Sequence, residues 1–248
     1  MPSAPWTPRH TAAALAGGHL LIAGAPGTGK SRLLNGLLLP ALVRAGDPLL
    51  VIQDPATGHG PTLGLRAATF GRESAVGDLL AQPTLVTFAG THPEREALIE
   101  RLCADLPAAL AAAPTPAGTR RHLVIDVAPL TPGLRSFAPL LRQARSLGCT
   151  LIVTSQSPSS LEPGLPELFT SHVAFYHFYK RCLRVMAENL LTATGAEETN
   201  PSGKPTPINR FGQPLATPVS RLVGRLAELK VGECFLVTPG APYEQLRA

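Results

Sequence analysis

The sequence predicts an α/β domain built on a mostly parallel sheet flanked by helices, and three observations carry that prediction. Apolar runs of strand length alternate with longer helical patterns along nearly the whole chain. A glycine-rich segment ending in Lys-Ser joins the first of those strands to the first long helix. The 248 residues are 44% hydrophobic and 16% charged, enough for one sizeable core and too apolar for wholesale disorder.

Taken in order, short apolar runs place strands at 19–25, 49–54, 84–89, 122–127, 150–155, 172–178 and 233–238. Longer amphipathic patterns place helices at 30–45, 93–113, 133–147, 180–191 and 218–229. Residues 56–82 carry several glycines, with room for a short helix near 73–80. Residues 192–214 include Asn200-Pro-Ser-Gly-Lys-Pro-Thr-Pro207, the composition of an exposed, flexible loop. Too little chain follows that loop to fold independently. A single domain is therefore expected over 19–240, with an N-terminal extension at 1–18 and a C-terminal tail at 241–248.

Composition excludes several classes. The balance of 22 basic against 17 acidic residues, net +5, permits an acidic partner such as nucleic acid without requiring one. Cys103, Cys149, Cys182 and Cys234 are far apart with no CxxC, which argues against a zinc site or disulfide framework and for a reduced compartment. No run reaches the roughly 18 apolar residues of a membrane span. The histidines show no HxxxH or HExxH spacing, and Ser155 and Ser157 lie in no GxSxG elbow. Eighteen of the basic residues are Arg and four are Lys, so a lysine at a special position stands out.

One does. Gly24-Ala-Pro-Gly-Thr-Gly-Lys-Ser31 is a full match to GxxxxGK(S/T), with a chance expectation of about 0.004 in a chain of this composition. Glycines let backbone N–H groups turn inward around a phosphate, and the following helix adds the positive end of its dipole. In such a loop Lys30 reaches the β- and γ-phosphates of ATP and Ser31 ligates Mg²⁺. A second element is His122-Leu-Val-Ile-Asp126, an apolar strand ending in a carboxylate suited to orienting the hydrated Mg²⁺. The strands at 49–54 and 84–89 intervene, which marks the additional-strand class of P-loop ATPases. A third is Thr150-Leu-Ile-Val-Thr-Ser-Gln156, whose polar end can position water or sense the γ-phosphate.

These three elements and their spacing resemble the FtsK/HerA superfamily of hexameric motor ATPases, which are RecA-like P-loop NTPases. The most specific stretch is Ala144-Arg-Ser-Leu-Gly-Cys-Thr-Leu-Ile-Val-Thr-Ser-Gln-Ser-Pro158: a helix ending in Arg, a glycine, an apolar strand and a polar turn. His172-Val-Ala-Phe175 and Leu226-Ala-Glu-Leu-Lys-Val-Gly-Glu-Cys-Phe-Leu-Val237 extend the likeness from about Leu20 to Val237. The resemblance implies that Gly24, Ala25, Pro26, Gly27, Thr28, Gly29, Lys30 and Ser31 hold ATP and Mg²⁺. It makes Asp126 the Walker B aspartate and Gln156 the γ-phosphate sensor. Arg145 matches a family arginine that serves at the subunit boundary, or else simply ends a solvated helix.

Two departures stand out. The family's glutamate after the Walker B aspartate is Val127 here, so a carboxylate from elsewhere (Asp54, Glu73, Glu162 or Glu167) substitutes, or hydrolysis is slow or absent. Asp54 also ends the strand at 49–54 as Asp-Pro, a pairing related motors often place near the nucleotide, though a turn needs it equally. His172 stands where related chains carry Arg, and an imidazole makes a poor arginine finger.

The resemblance implies a homo-oligomeric ring, a hexamer, that pulls double-stranded DNA through its pore, with contacts to phosphates rather than bases. Arg66, Arg72, Lys204 and Arg210 are the basic candidates for those contacts. A bare motor core with no membrane span is similar to the small genome-packaging ATPases of tailless icosahedral viruses with internal membranes. That implies viral genome packaging into a preformed capsid, in the host cytoplasm or on the virion, with capsid or membrane-vertex proteins as partners. A conjugative or mobile-element DNA-transfer ATPase shares every motif. A nucleotide-gated, non-hydrolysing scaffold is the reading that Val127 favours.

Overall fold

The central strand, Leu20-Leu-Ile-Ala23, is apolar on both of its faces, so it needs cover on both. In the computed structural model, which describes residues 3–16, 18–53, 64–88, 90–113, 115, 119–126, 135–156, 158–161, 164–194, 218–239 and 241–248, it has that cover. Ten strands form one sheet: β1 (Ala4–Pro5), β2 (Leu20–Ala23), β3 (Leu49–Gln53), β4 (Arg66–Phe70), β5 (Thr84–Phe88), β6 (Arg121–Asp126), β7 (Cys149–Ser155), β8 (Ser171–Phe175), β9 (Glu233–Val237) and β10 (Glu244–Arg247). Their spatial order is β1-β10-β9-β8-β2-β7-β6-β3-β5-β4. From β8 to β4 every pairing is parallel, whereas β9 runs antiparallel to both β8 and β10.

Alternate residues of the strands feed two separate cores. On one face, α1 (Pro8–Ala16), α2 (Lys30–Leu33) and α3 (Leu39–Ala45) cover Leu20, Ile22, Val124, Ile152 and Phe175. On the other, α4 (Val76–Leu80), α5 (His92–Ala112), α6 (Phe137–Ala144), α7 (Lys180–Thr194) and α8 (Pro218–Ala227) cover Leu21, Ile52, Ile125, Val153 and Phe235. The fold is thus a three-layer, mostly parallel α/β sandwich. Strands of a parallel sheet carry their functional ends together, here at the C-terminal ends of β2, β6, β7 and β8.

The expected helix 30–45 forms, but not as one regular helix. A π-helical stretch, Leu34–Leu38, joins α2 to α3, and its last turn closes with the Leu39 N–H on Leu34 O. Pro40 follows immediately; in a regular α-helix its ring would collide with the carbonyl four residues back, and the wider turn relieves that crowding. Of the expected helix 133–147, residues 133–134 lie outside the described residues and the helix runs over Phe137–Ala144, with Ser136 held by the Glu100 carboxylate before it and Gly148 turning at φ +68° after it.

Three strands and a helix were not expected. β4 runs along the sheet edge within the glycine-rich stretch, with Phe70 buried and the Arg101 guanidinium 4.8 Å over its ring. The segments expected to flank the domain meet each other: β1 pairs with β10, and α1 packs above them. Trp6 is buried there, donating its indole N–H to Thr11 Oγ1 at 2.9 Å, while its backbone N–H bonds Arg247 O. Among the described residues no helix is long and apolar enough to cross a membrane.

Trp6 therefore ties both chain ends to the core. Trp6→Ala is expected to cost about 3 kcal/mol of unfolding free energy, read as a lower midpoint in urea; an unchanged midpoint would mean that the ends do not dock.

Candidate nucleotide-binding site

Residues Gly24 to Ser31 connect β2 to α2 at the C-terminal edge of the sheet. The loop is pinned to both neighbouring strands: Gly24 N–H donates to Ser155 O (3.1 Å), and Ala25 N–H donates to Tyr176 O (2.9 Å). Inside it, Thr28 Oγ1 donates to Ala25 O at 2.7 Å. A turn before β9 closes it from behind, with Gly232 N–H on Thr28 O at 2.9 Å. Glycine is required by space as well as by φ. A Cβ on Gly24 would lie 2.6 Å from Phe175 Cβ, and one on Gly29 (φ +120°) would lie 3.1 Å from the Phe175 ring and 3.2 Å from Gly232 Cα.

Lys30 opens α2, and its ammonium donates to Gly24 O at 2.8 Å and Ala25 O at 2.7 Å. The side chain is buried, so desolvation lowers its pKa from 10.5 to about 8, with the Asp126 carboxylate pulling the other way. Ser31, half-buried, follows in the same first turn.

Asp126 ends β6 and is buried. Thr154 of β7 donates its hydroxyl to Asp126 Oδ1 at 2.6 Å, and Gln53 of β3 offers its amide to Oδ2 at 3.4 Å. Two donors on two oxygens hold the group in a fixed orientation. Gln156 follows β7 directly, one residue beyond the Ser155 carbonyl that holds the loop, and its own carbonyl accepts His177 Nε2–H at 2.8 Å. The phosphate loop, Asp126 and Gln156 thus converge. The strand that separates β2 from β6 is β7; the three strands that intervene in sequence, β3, β4 and β5, lie beyond β6.

The other anticipated residues fall elsewhere. Arg145 is exposed beyond the C-terminus of α6, at the start of β7 and so at the opposite end of the sheet. The seven residues of β7 put about 20 Å between the two ends at about 3.3 Å per residue. Glu73 follows β4, five strands from β2, or about 24 Å away at about 4.8 Å per strand. Glu167 lies on the turn that leads into the far end of β8. Neither replaces a glutamate at position 127 within this chain. Asp54, Val127, Glu162, Lys204 and Arg210 lie outside the described residues. Arg66 is occupied within the chain, donating to Asp78 O, whereas Arg72 is exposed. His172 is buried with its pKa pushed down to about 4, chiefly by desolvation, and its Nε2–H donates to Phe169 O at 3.1 Å. It is neutral and cannot act as a finger.

Gln53 and Gly232 were not anticipated. Gln53 carries a signal in retrospect, a polar residue closing an otherwise apolar strand; Gly232 carries none, because only its tertiary contact with the loop gives it meaning.

No protein-family model matches the sequence, and no curated protein is significantly similar to it. Solved structures are. The genome-packaging NTPase B204 of Sulfolobus turreted icosahedral virus 2, in complex with sulfate, superposes with a TM-score of 0.62 at 13% identity, over 93% of this chain and 96% of that one. The same NTPase in complex with ATP-gammaS gives 0.60 at 12% identity, over 93% and 97%. The bacterial conjugative coupling protein TrwB gives 0.64 at 13% identity, over 92% and 84%. The chain shares the fold of these proteins. Its sheet order is that of the additional-strand, RecA-like class, and the phosphate loop occupies the turn that this fold reserves for nucleotides.

Mg²⁺ suits the donor set. Ser31 and Asp126 supply hard oxygens, and among the described residues no group of three or more His, Cys, Asp or Glu forms a protein-only metal cage. Mg²⁺ is commonly held by one or two protein oxygens plus substrate phosphates.

The depressed Lys30 pKa has a measurable consequence. Holding the ammonium buried is unfavourable below about pH 8, and the penalty is relieved between about 8 and 10.5, where the unfolded chain keeps the proton and the folded chain has lost it. Wild-type stability relative to Lys30→Met is expected to rise by about 1–3 kcal/mol across that window in urea melts. A difference that stays flat with pH would mean that the ammonium is solvated.

Proposed function

We propose that this chain is an ATP-driven double-stranded DNA translocase that packages a viral genome into a preformed capsid. The observation that carries the reading is the convergence of Lys30, Asp126 and Gln156 at one edge of a sheet, on a fold shared with a genome-packaging NTPase. In this reading Lys30 neutralises the β- and γ-phosphate oxygens as the bond between them breaks. Asp126, oriented by Thr154 and Gln53, and the Ser31 hydroxyl hold Mg²⁺, which supplies charge neutralisation at the phosphates when bound. The Gln156 amide orients the water that attacks the γ-phosphorus, leaving ADP and inorganic phosphate.

The resemblance to hexameric motors supplies the ring in this reading, and the position of Arg145 supports it. At the far end of the sheet this arginine reaches a phosphate only in a neighbouring copy, through a head-to-tail interface that closes on itself. Host cytoplasm and capsid or membrane-vertex partners complete the proposal. Two other readings each have a supporting observation. The superposition with TrwB favours conjugative DNA transfer, and a neighbouring relaxase gene in place of a capsid gene would select it. Val127 favours a nucleotide-gated scaffold without turnover.

Steady-state ATP hydrolysis with and without long double-stranded DNA, beside Lys30→Ala, separates motor from scaffold. DNA is expected to raise turnover, and the variant is expected to lose at least about 100-fold while keeping its fold. Tight ATP binding with no turnover in either condition would favour the scaffold; undiminished turnover in Lys30→Ala would remove the assignment.

A further inference from the structure

Among the described residues the exposed large hydrophobics are Phe178 (65%), Tyr179 (70%) and Val231 (73%), and all three lie on one rim of the phosphate loop. β8 and β9 pair with Phe175 opposite Cys234. Phe178 and Tyr179 follow Tyr176 just past the end of β8, and Val231 precedes Gly232 in the turn before β9. Both chain segments are bonded to the loop itself, one through Ala25 N–H on Tyr176 O and the other through Gly232 N–H on Thr28 O, each at 2.9 Å. Exposed apolar groups usually scatter over a surface, so their gathering at one functional edge calls for an occupant.

The rim is ordered by its own contacts. The Phe178 ring meets Tyr176 edge-on at 5.1 Å, and the Tyr179 ring leans on His177 at 5.5 Å. His177 is buried and accepts Tyr179 N–H on Nδ1 at 3.0 Å, so its proton is on Nε2, which donates to Gln156 O. Two exposed aromatics are therefore held on a braced turn, with little rotamer freedom left to lose on binding a flat partner.

Position decides what that partner is. Asp126 and Gln156 stand on β6 and β7, on one side of β2, and set the direction of the terminal phosphate. β8 and β9 stand on the other side. A triphosphate gripped by Lys30 with its last phosphate toward Asp126 leads its nucleoside away from β7, onto the β8–β9 rim.

We propose that Phe178 and Tyr179, flanked by Val231, form the platform on which the base of the bound nucleoside triphosphate stacks. The inference rests on the reading of Gly24 to Ser31 as the phosphate site. Stacking grips the π-face that every base has, so selection follows ring area more than edge pattern. The site then takes purine nucleotides in preference to pyrimidine ones and separates adenine from guanine weakly.

The test titrates ATP, GTP, CTP and inorganic tripolyphosphate into the full-length protein, Phe178→Ala/Tyr179→Ala and Phe178→Trp, with each variant's melting temperature checked. ATP and GTP are expected to bind wild type within about threefold of each other and CTP more weakly. The double variant is expected to lose at least about tenfold in ATP affinity with tripolyphosphate binding unchanged, and Phe178→Trp to bind ATP as tightly as wild type. Unchanged ATP binding in the double variant would overturn the platform, as would an equal loss of tripolyphosphate, which marks a structural support. An oligomer that dissociates while ATP affinity per subunit stays constant would also overturn it, by making the rim a contact between copies. Failure of the phosphate site has a different signature: wild type binds neither ATP nor tripolyphosphate.

Discussion

The approach of β8 and of the turn before β9 to the phosphate loop is the constraint on which the rest depends. A loop that turns its N–H groups inward leaves its outer wall to be supported, and here the support is direct. Phe175 fills the space where Gly24 and Gly29 would carry side chains, and Gly232 touches Gly29 from the other side. Gly232 is in turn held by Ala248 N–H on its carbonyl at 2.8 Å, and the adjoining Arg247 carbonyl receives Trp6 N–H. The two chain ends are thus the outermost layer of a buttress whose innermost layer is the nucleotide loop. Stability of the edge and shape of the site are one problem.

Asp126 poses the chemical problem. Its two oxygens are oriented by Thr154 and Gln53, both neutral donors. That suits a metal-orienting oxygen and not a proton acceptor, because a base must exchange its donors for the water it activates. With valine next in sequence, the proposed hydrolysis would leave water activation to groups that orient more than they deprotonate. Phosphoryl transfer tolerates this better than most reactions, since its transition state is loose and catalysis is mostly positioning and charge.

The sequence was most legible where function restricts residue type. The phosphate loop, the aspartate closing an apolar strand and the seven anticipated strands all recur within one to three residues, because fully buried parallel strands must be continuous apolar runs. Legibility failed at the sheet edges. Arg66-Ala-Ala-Thr-Phe70 is only half covered, so a single buried Phe70 carries its packing signal. β1 and β10 are short and largely exposed, and each exists by pairing with a distant partner rather than by propensity. Gln53 and Gly232 act through contacts no spacing rule reports. Arg145 shows the converse: its motif context is clear, as a subunit-boundary arginine or a solvated helix end, yet only the length of β7 tells how far it stands from the loop of its own chain.

That displacement is informative about assembly. A parallel sheet has two ends, and this chain divides its chemistry between them: phosphate loop, Asp126 and Gln156 at one, Arg145 at the other. Rotation of side chains does not close a gap set by the length of β7. For Arg145 to meet a phosphate, a second copy must present its far end to the first copy's near end. An interface between unlike ends is heterologous, and repeating it either closes into a ring or extends into a filament. Ring closure is the outcome that puts an arginine from one copy at every nucleotide of the next, so that the state of each site depends on its neighbour's position. A guanidinium delivered that way stabilises phosphoryl charge only when the two copies are correctly docked. In the proposed motor, hydrolysis would then be conditional on geometry between subunits, which is the coupling a motor needs and an isolated subunit lacks.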